Sequence, residues 1–102
     1  MTTLHLVNKS PFERNAMQSC LEHALAGDGI IMFEDGVYGA VKGSAIAGLV
    51  ESKVASVKVY VLGADLSARG IANGRLIDGI AIVDYPGFVD LVTGHTRAQS
   101  CL

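Results

Sequence analysis

The sequence predicts an α/β protein with a small, doubly wound parallel sheet and helices on both faces, which makes three layers. Short apolar runs alternate with stretches of helical spacing along the 102 residues of the chain. Most of the predicted strands are apolar throughout, which is typical of strands buried on both sides of a parallel sheet. The right-handed crossover rule then gives the doubly wound arrangement. A chain of this length suits one domain spanning residues 1–102.

The first strand is predicted at residues 3–7, because a short apolar run there ends at a turn signal. A helix start follows in the sequence Ser-Pro-Phe-Glu at residues 10–13, where Ser10 can cap the helix and Glu13 can close a capping box. The helix should continue to about Leu25. Its buried stripe should consist of five residues at helical spacing: Ala16, Met17, Cys20, Leu21 and Ala24.

Further strands and helices should alternate along the rest of the chain. Apolar and β-branched residues predict strands at residues 30–33, 57–62 and 80–83. Residues 36–52 should form a helical stretch that is weak or broken, because it contains several glycines. Two short helices are predicted at residues 66–69 and from residue 87 to about residue 93.

Composition excludes several classes of function. The formal net charge is −2 and no basic run is present, so we expect no direct binding to nucleic acid. No apolar stretch approaches the roughly 20 residues that span a bilayer, and no leader pattern begins the chain. We therefore expect an unexported protein without a membrane anchor. Half of the residues are apolar, which favours burial of some of the surface in an assembly.

Acidic residues at the ends of predicted strands are the first candidates for chemistry. They are better explained as helix caps than as a metal or acid–base site, because Asp is a preferred residue for starting a helix. Only the adjacent pair Glu34 and Asp35 is kept as an acid–base candidate. The glycine patterns lack the order and spacing of phosphate-binding loops, so we expect no nucleotide and no other cofactor.

Cys20 is the residue whose chemistry could carry a function. A thiolate can accept sulfur as a persulfide and pass it to another thiol, and His23, one turn along the same helix, could stabilise that thiolate. The alternative is a core thiol, because Cys20 lies in the apolar stripe and free cysteine is among the most buried residue types.

Neither the spacing of the three histidines nor the position of Cys101 indicates a metal site. The histidines His5, His23 and His95 share no metal-ligand spacing with one another or with a cysteine, so we expect them on the surface or in the core. Cys101 should be mobile and exposed near the chain end. Without a C-x-x-C motif, neither a zinc site nor a disulfide framework is indicated, and both cysteines should be free thiols in a reducing compartment.

Four segments resemble the DsrH/TusB family. They are N-K-S-P-F-E at 8–13, F-E-D-G-V-Y at 33–38, V-Y-V-L-G-A-D-L-S-A-R-G at 59–70 and V-D-Y-P-G-F-V-D-L at 83–91. The resemblance implies the DsrE/DsrF/DsrH-like fold and membership of a cytoplasmic sulfur-relay heterohexamer. Its implied partners are DsrE/TusD-like and DsrF/TusC-like subunits and a DsrC/TusE-like sulfur carrier protein.

The family has two branches, which serve sulfur oxidation or the 2-thiolation of the tRNA wobble uridine. A cysteine at the position of Cys20 is a DsrH-like feature, so the resemblance favours the oxidation branch. The alternatives are a TusB-like role in tRNA thiolation and a purely structural subunit. The family's principal sulfur-carrying cysteine lies on the DsrE/TusD-type subunit, so Cys20 would be an auxiliary acceptor on a non-principal subunit of a sulfurtransferase complex. The chain departs from the family at Cys101, where a Trp is usual.

Overall fold

The computed structural model describes residues 2–12 and 16–101, and its centre is a five-stranded sheet. The strands are β1 (Thr3–Val7), β2 (Gly29–Met32), β3 (Lys58–Leu62), β4 (Ala81–Val83) and β5 (Arg97–Ser100). They lie in the order β4-β3-β2-β1-β5, and every neighbouring pair is parallel. This confirms the predicted parallel α/β sheet, to which the structure adds β5.

Within the described residues, four α-helices connect the strands: α1 (Ala16–His23), α2 (Ala47–Lys53), α3 (Gly63–Ala68) and α4 (Tyr85–Gly94). Short 3₁₀ helices lie at Glu34–Ala40 and Asn73–Arg75. The chain moves across the sheet from β1 to β4, and α4 then returns it to β5 beside β1. Because parallel crossovers are right-handed, α1, α2 and α3 cover one face of the sheet and α4 covers the other.

The predicted start of the first helix falls partly outside the described residues. Ser10 is buried, and its Oγ accepts a hydrogen bond from the Phe12 N–H at 3.2 Å, as a capping serine does. Glu13, which the sequence predicts as the second half of a capping box, lies outside the described residues. The helix ends at His23, slightly earlier than predicted.

The weak helical stretch predicted at residues 36–52 is indeed broken, into the first 3₁₀ helix and α2. Two glycines explain why the 3₁₀ helix can lie so close to its neighbours. A Cβ atom on Gly36 would clash with the carbonyl oxygen of Val7, and one on Gly39 would clash with the sulfur of Met17. Glycine therefore permits the close approach of this segment to the end of β1 and to α1.

The main core lies between the sheet and the layer of α1, α2 and α3. The predicted stripe of α1 enters it, since Met17, Cys20, Leu21 and Ala24 are all buried. All four residues of β2 are buried as well, which confirms a central strand covered on both faces. The strand β5, by contrast, is an edge strand with all four residues exposed.

Among the described residues, no helix combines the length and the apolar character that crossing a bilayer requires.

Candidate functional site

Three side chains with sulfur or nitrogen donor atoms meet near the edge of the sheet. They belong to His5 of β1, Cys20 of α1 and Cys101, which directly follows β5. One donor atom from each lies within 4.8 Å of the others. The sulfurs of Cys20 and Cys101 are bonded to each other as a disulfide, with Cα atoms 6.1 Å apart. This corrects the expectation of two separate free thiols.

The pairing of β5 with β1 brings Cys101 to this place. His5 lies opposite Gln99 in the parallel register, and the Cys101 N–H donates a hydrogen bond to the Leu6 carbonyl at 2.9 Å. Because side chains alternate along strands, His5, Gln99 and Cys101 project on the same face of the sheet, towards α1. The tail predicted to be mobile is therefore held along the edge of the sheet.

Asp28 holds the imidazole of His5. Its Oδ2 accepts hydrogen bonds from His5 Nε2 at 3.0 Å and from the Leu25 N–H at 3.1 Å, and its Oδ1 accepts one from the Thr3 N–H at 3.1 Å. The side chains of His5 and Asp28 are only 11% and 9% exposed. In the tautomer that donates its Nε2–H to Asp28, Nδ1 carries a free lone pair.

The hydrogen bonds of Asp28 also decide its charge. Burial raises the pKa of this carboxyl, but the hydrogen bonds from His5 and from the N–H groups of Leu25 and Thr3 outweigh burial and hold the pKa below its ordinary value of 3.8. Asp28 is therefore a carboxylate at neutral pH. A buried carboxylate thus lies on one side of the imidazole whose ring has a nitrogen within 4.8 Å of the two sulfurs.

A pocket of about 560 Å³ opens beside the disulfide and gives the site access to solvent. Its walls include Ser19 and His23 from α1 and Arg97 and Gln99 from β5. The ring of His23 lies with Nδ1 2.7 Å from the Ser19 carbonyl oxygen, to which it can donate. The imidazole grouped with the sulfurs is that of His5, while the role of His23 towards Cys20 stays a prediction.

The acid–base candidates Glu34 and Asp35 lie elsewhere, at the carboxyl end of the sheet. Arg69 Nη2 is 2.9 Å from Asp35 Oδ1. The Glu34 N–H donates to Asp65 Oδ2 at 2.7 Å, and its side chain accepts a hydrogen bond from Asn8 at 3.3 Å. Both residues begin the first 3₁₀ helix, and they are thus engaged in contacts with Asn8, with α3 and with Arg69 directly after α3. The carboxylate of Asp35 is paired with the Arg69 guanidinium.

Asp84, one of the acidic residues that follow the predicted strands, is a helix cap. Asp84 precedes α4, and its Oδ1 accepts a hydrogen bond from the Gly87 N–H at 2.8 Å. This contact satisfies one of the free N–H groups at the start of the helix, as the preference for helix caps predicts.

The sequence does not predict the roles of His5 and Asp28. The contact between His5 and Asp28 depends on the pairing of β1 with β2, and the approach of Cys101 to His5 depends on β5, whose residues carry none of the apolar pattern that marks the other strands. One weak signal is present: Thr3 and His5 are polar residues at alternate positions of an otherwise apolar strand, which indicates that one side of β1 is not wholly covered.

The fold and site together define a small α/β protein with a cysteine pair and a buried imidazole at the edge of a parallel sheet. Residues 9–98 match the family described as "DsrH like protein". The chain is 36% identical over 97 residues to Protein TusB of Escherichia coli O81 (strain ED1a), covering 95% of this chain and 98% of that protein. Protein TusB of Shigella flexneri is 34% identical over the same length and coverage. The chain therefore belongs to the DsrH family, as a sulfur-relay protein of the TusB type.

Solved structures confirm the fold. The crystal structure of the ychN protein from E. coli superposes with a TM-score of 0.83 at 17% identity, covering 98% of this chain and 99% of that one. The solution structure of protein Tm0979 from Thermotoga maritima has a TM-score of 0.66 at 24% identity, covering 90% of this chain and 92% of that one. At such low identities the likeness concerns the fold alone.

Proposed function

We propose that this chain is a subunit of a cytoplasmic sulfur-relay heterohexamer that supplies sulfur for 2-thiolation of the tRNA wobble uridine. The observation that carries the proposal is the 36% identity to TusB proteins over 95% of the chain. It favours the tRNA branch over the sulfur-oxidation branch that Cys20 alone would favour. A thiol at Cys20 can take part in either process, because it does not determine where the sulfur is finally used.

An uncovered apolar surface supports the assembly. Along α4 the side chains of Tyr85, Val89 and Val92 are 61%, 59% and 37% exposed, and Ile82 of the adjacent edge strand is 43% exposed. None of the residues of α4, all of them described, is buried in the isolated chain. Neighbouring exposed apolar side chains of this kind are typical of subunit interfaces. DsrE/TusD-like and DsrF/TusC-like subunits are the proposed partners, with a DsrC/TusE-like carrier protein receiving the sulfur.

Within this complex, Cys20 is proposed as an auxiliary persulfide acceptor. Three features support a chemical role: the adjacent pocket, the imidazole of His5 beside the sulfur, and the polar wall that contains His23. An imidazole near a thiol favours the thiolate that attacks a sulfur donor. The disulfide to Cys101 must first be reduced, because a disulfide sulfur carries no free thiolate.

Complementation of a bacterial strain tests the proposed role in tRNA thiolation. A bacterial strain that lacks its own TusB would receive this chain together with its cognate DsrE- and DsrF-like subunits, and 2-thiouridine in its tRNA would be measured by mass spectrometry of nucleosides. We expect thiolation to be restored by the three subunits and to fall when this chain alone is omitted. Equal thiolation with and without this chain would contradict the proposal. Removal of the chain from its native host should likewise lower tRNA thiolation and leave sulfur oxidation unchanged.

The proposed role of Cys20 has its own test. The reduced complex would be loaded with a persulfide donor, and the added sulfur would be located by peptide mass spectrometry in the native chain and in Cys20→Ser and His23→Ala variants. Sulfur on Cys20 of the native chain supports the acceptor role, and a decline in His23→Ala would assign His23 as the thiolate partner. Unmodified Cys20, with normal sulfur transfer in Cys20→Ser, would instead make this subunit purely structural.

A further inference from the structure

We propose that His5, Cys20 and Cys101 form a binding site for a thiophilic divalent cation of the Zn²⁺ class when the disulfide is reduced. The ligands come from β1, α1 and the residue after β5, which explains why no metal-ligand spacing is visible in the sequence. The proposal does not rest on the proposed role in tRNA thiolation, since it depends only on contacts within this chain. The cation would, however, occupy the same sulfur of Cys20 that a persulfide donor would load.

The donor atoms have suitable chemistry and spacing. Two thiolates and one imidazole are a ligand set that Zn²⁺ favours, and a site with three protein ligands keeps one coordination position open. In tetrahedral zinc sites the donor atoms lie roughly 3.3 to 3.8 Å apart, as bond lengths of about 2.0 to 2.3 Å require. The donor atoms of the three side chains already lie within 4.8 Å of one another. Small side-chain rotations after reduction would therefore complete the geometry.

Asp28 supplies the support that a metal-binding histidine needs. A histidine that ligates a metal commonly donates its other ring N–H to a carboxylate, which fixes the orientation of the ring and makes the ligating nitrogen more basic. His5 Nε2 lies 3.0 Å from Asp28 Oδ2, so Nδ1 remains the available donor atom for the cation. The N–H groups of Thr3 and Leu25 hold Asp28 in place in turn. The imidazole is thus oriented before any cation binds.

The pocket beside the cysteines provides the entry path. It is open to solvent, and its polar lining includes Ser19 and Gln99, so water can occupy the open coordination position. A small thiol or hydrosulfide ion entering the same pocket could replace that water, because zinc also binds sulfur ligands well.

Redox state decides which form of the site exists. Reduction of the disulfide adds two electrons and two protons from a dithiol reductant and yields the thiols of Cys20 and Cys101. Binding of the cation to both sulfurs then releases the two thiol protons. The disulfide and the cation-bound form therefore exclude each other, since the same two sulfurs serve both.

Zinc titration of the full-length chain tests the site. The protein, purified alone or in its complex, would be reduced with a phosphine that does not chelate metals and titrated with Zn²⁺ against a chromophoric zinc indicator. We expect one Zn²⁺ per reduced chain and none in the disulfide form. Co²⁺ in place of Zn²⁺ should give the absorption of sulfur-to-cobalt charge transfer. A folded, fully reduced chain that binds no Zn²⁺ would overturn the proposal.

Variants identify the ligands. We expect Cys20→Ser, Cys101→Ser and His5→Ala to lose the bound Zn²⁺, and Asp28→Asn to weaken binding by roughly 10- to 100-fold. His95→Ala is the matched control, because the His95 ring is bound to the Leu91 carbonyl at 2.7 Å and does not belong to the cluster. Circular dichroism of each variant separates loss of binding from loss of folding. Native-like binding by a folded Cys101→Ser variant would contradict the assigned ligand set.

Discussion

Replacing Asp28 by Asn should remove a large part of the stability of the fold. The carboxylate accepts three hydrogen bonds from His5, Leu25 and Thr3 and is only 9% exposed. Asn offers a single oxygen, so at least one N–H group that now faces a carboxylate oxygen would face the amide NH₂ group. An unsatisfied buried donor costs about 1–3 kcal/mol. The remaining hydrogen bonds lose a charged acceptor, which costs several tenths of a kcal/mol or more for each of them.

These contributions together lower the free energy of unfolding by about 2–4 kcal/mol at pH 7. For a domain of this size, that corresponds to a fall in Tm of roughly 10 °C or more. The matched control is Asp78→Asn, since the Asp78 side chain is fully exposed and its contact with Lys42 spans 3.7 Å. An exposed ion pair contributes less than about 1 kcal/mol, so this control should unfold nearly as the native chain does.

The pH dependence checks the physical cause. The folded-state pKa of Asp28 lies below the ordinary value of 3.8, because its hydrogen bonds outweigh burial. Its stabilising contribution is therefore fully present above the unfolded-state pKa and is lost as pH falls through the lower folded-state pKa. Urea unfolding of the disulfide form should show the full difference between the native chain and Asp28→Asn at pH 7 and a smaller one below about pH 4. An equal difference at both pH values, or one no larger than that of Asp78→Asn, would refute this reasoning.

Three further predictions concern packing, capping and assembly. Gly36→Ala should lower the free energy of unfolding by about 1–3 kcal/mol, because the new Cβ atom meets the Val7 carbonyl. Gly48→Ala, in α2 with open space around it, should raise the free energy of unfolding by about 0.4–1 kcal/mol. Urea unfolding measures both changes, and equal effects of the two substitutions would contradict the packing argument. Ser10→Ala should cost about 1 kcal/mol, since the Phe12 N–H loses its acceptor, and an unchanged melting curve would count against the cap. The isolated chain should self-associate in sedimentation experiments, and Val89→Lys should reduce this; a stable native monomer would remove the apolar interface.

The strands that form the middle of the sheet could be predicted from the sequence. β2 and β3 consist mainly of apolar and β-branched residues, and their burial follows from this pattern. The strand β5 has the sequence R-A-Q-S and is exposed along its length, so neither periodicity nor β-propensity marks it. It is a strand because its backbone pairs with β1, and such pairing between the two ends of the chain is not encoded in any local pattern.

The candidate site, too, could be predicted from the sequence only in part. The burial of Cys20 follows from its place in the stripe of α1, which helical spacing predicts. The contact of Cys20 with Cys101 does not follow from any local pattern, because it joins residues separated by 81 positions and requires β5 to lie beside β1. His5 and Asp28 meet for a similar reason: the pairing of β1 with β2 places Asp28, just before β2, next to the amino-terminal half of β1.

Transfer of sulfur to the carrier protein tests the central claim most directly. The complex of this chain with its DsrE/TusD-like and DsrF/TusC-like partners would be reduced and loaded with a persulfide donor, and sulfur appearing on the DsrC/TusE-like carrier would be followed by intact-protein mass spectrometry. A sample that lacks only this chain serves as the comparison. The relay account predicts rapid loading of the carrier by the complete complex and slow or absent loading without this chain. Equally rapid loading by the two samples would contradict a role for this chain in the relay.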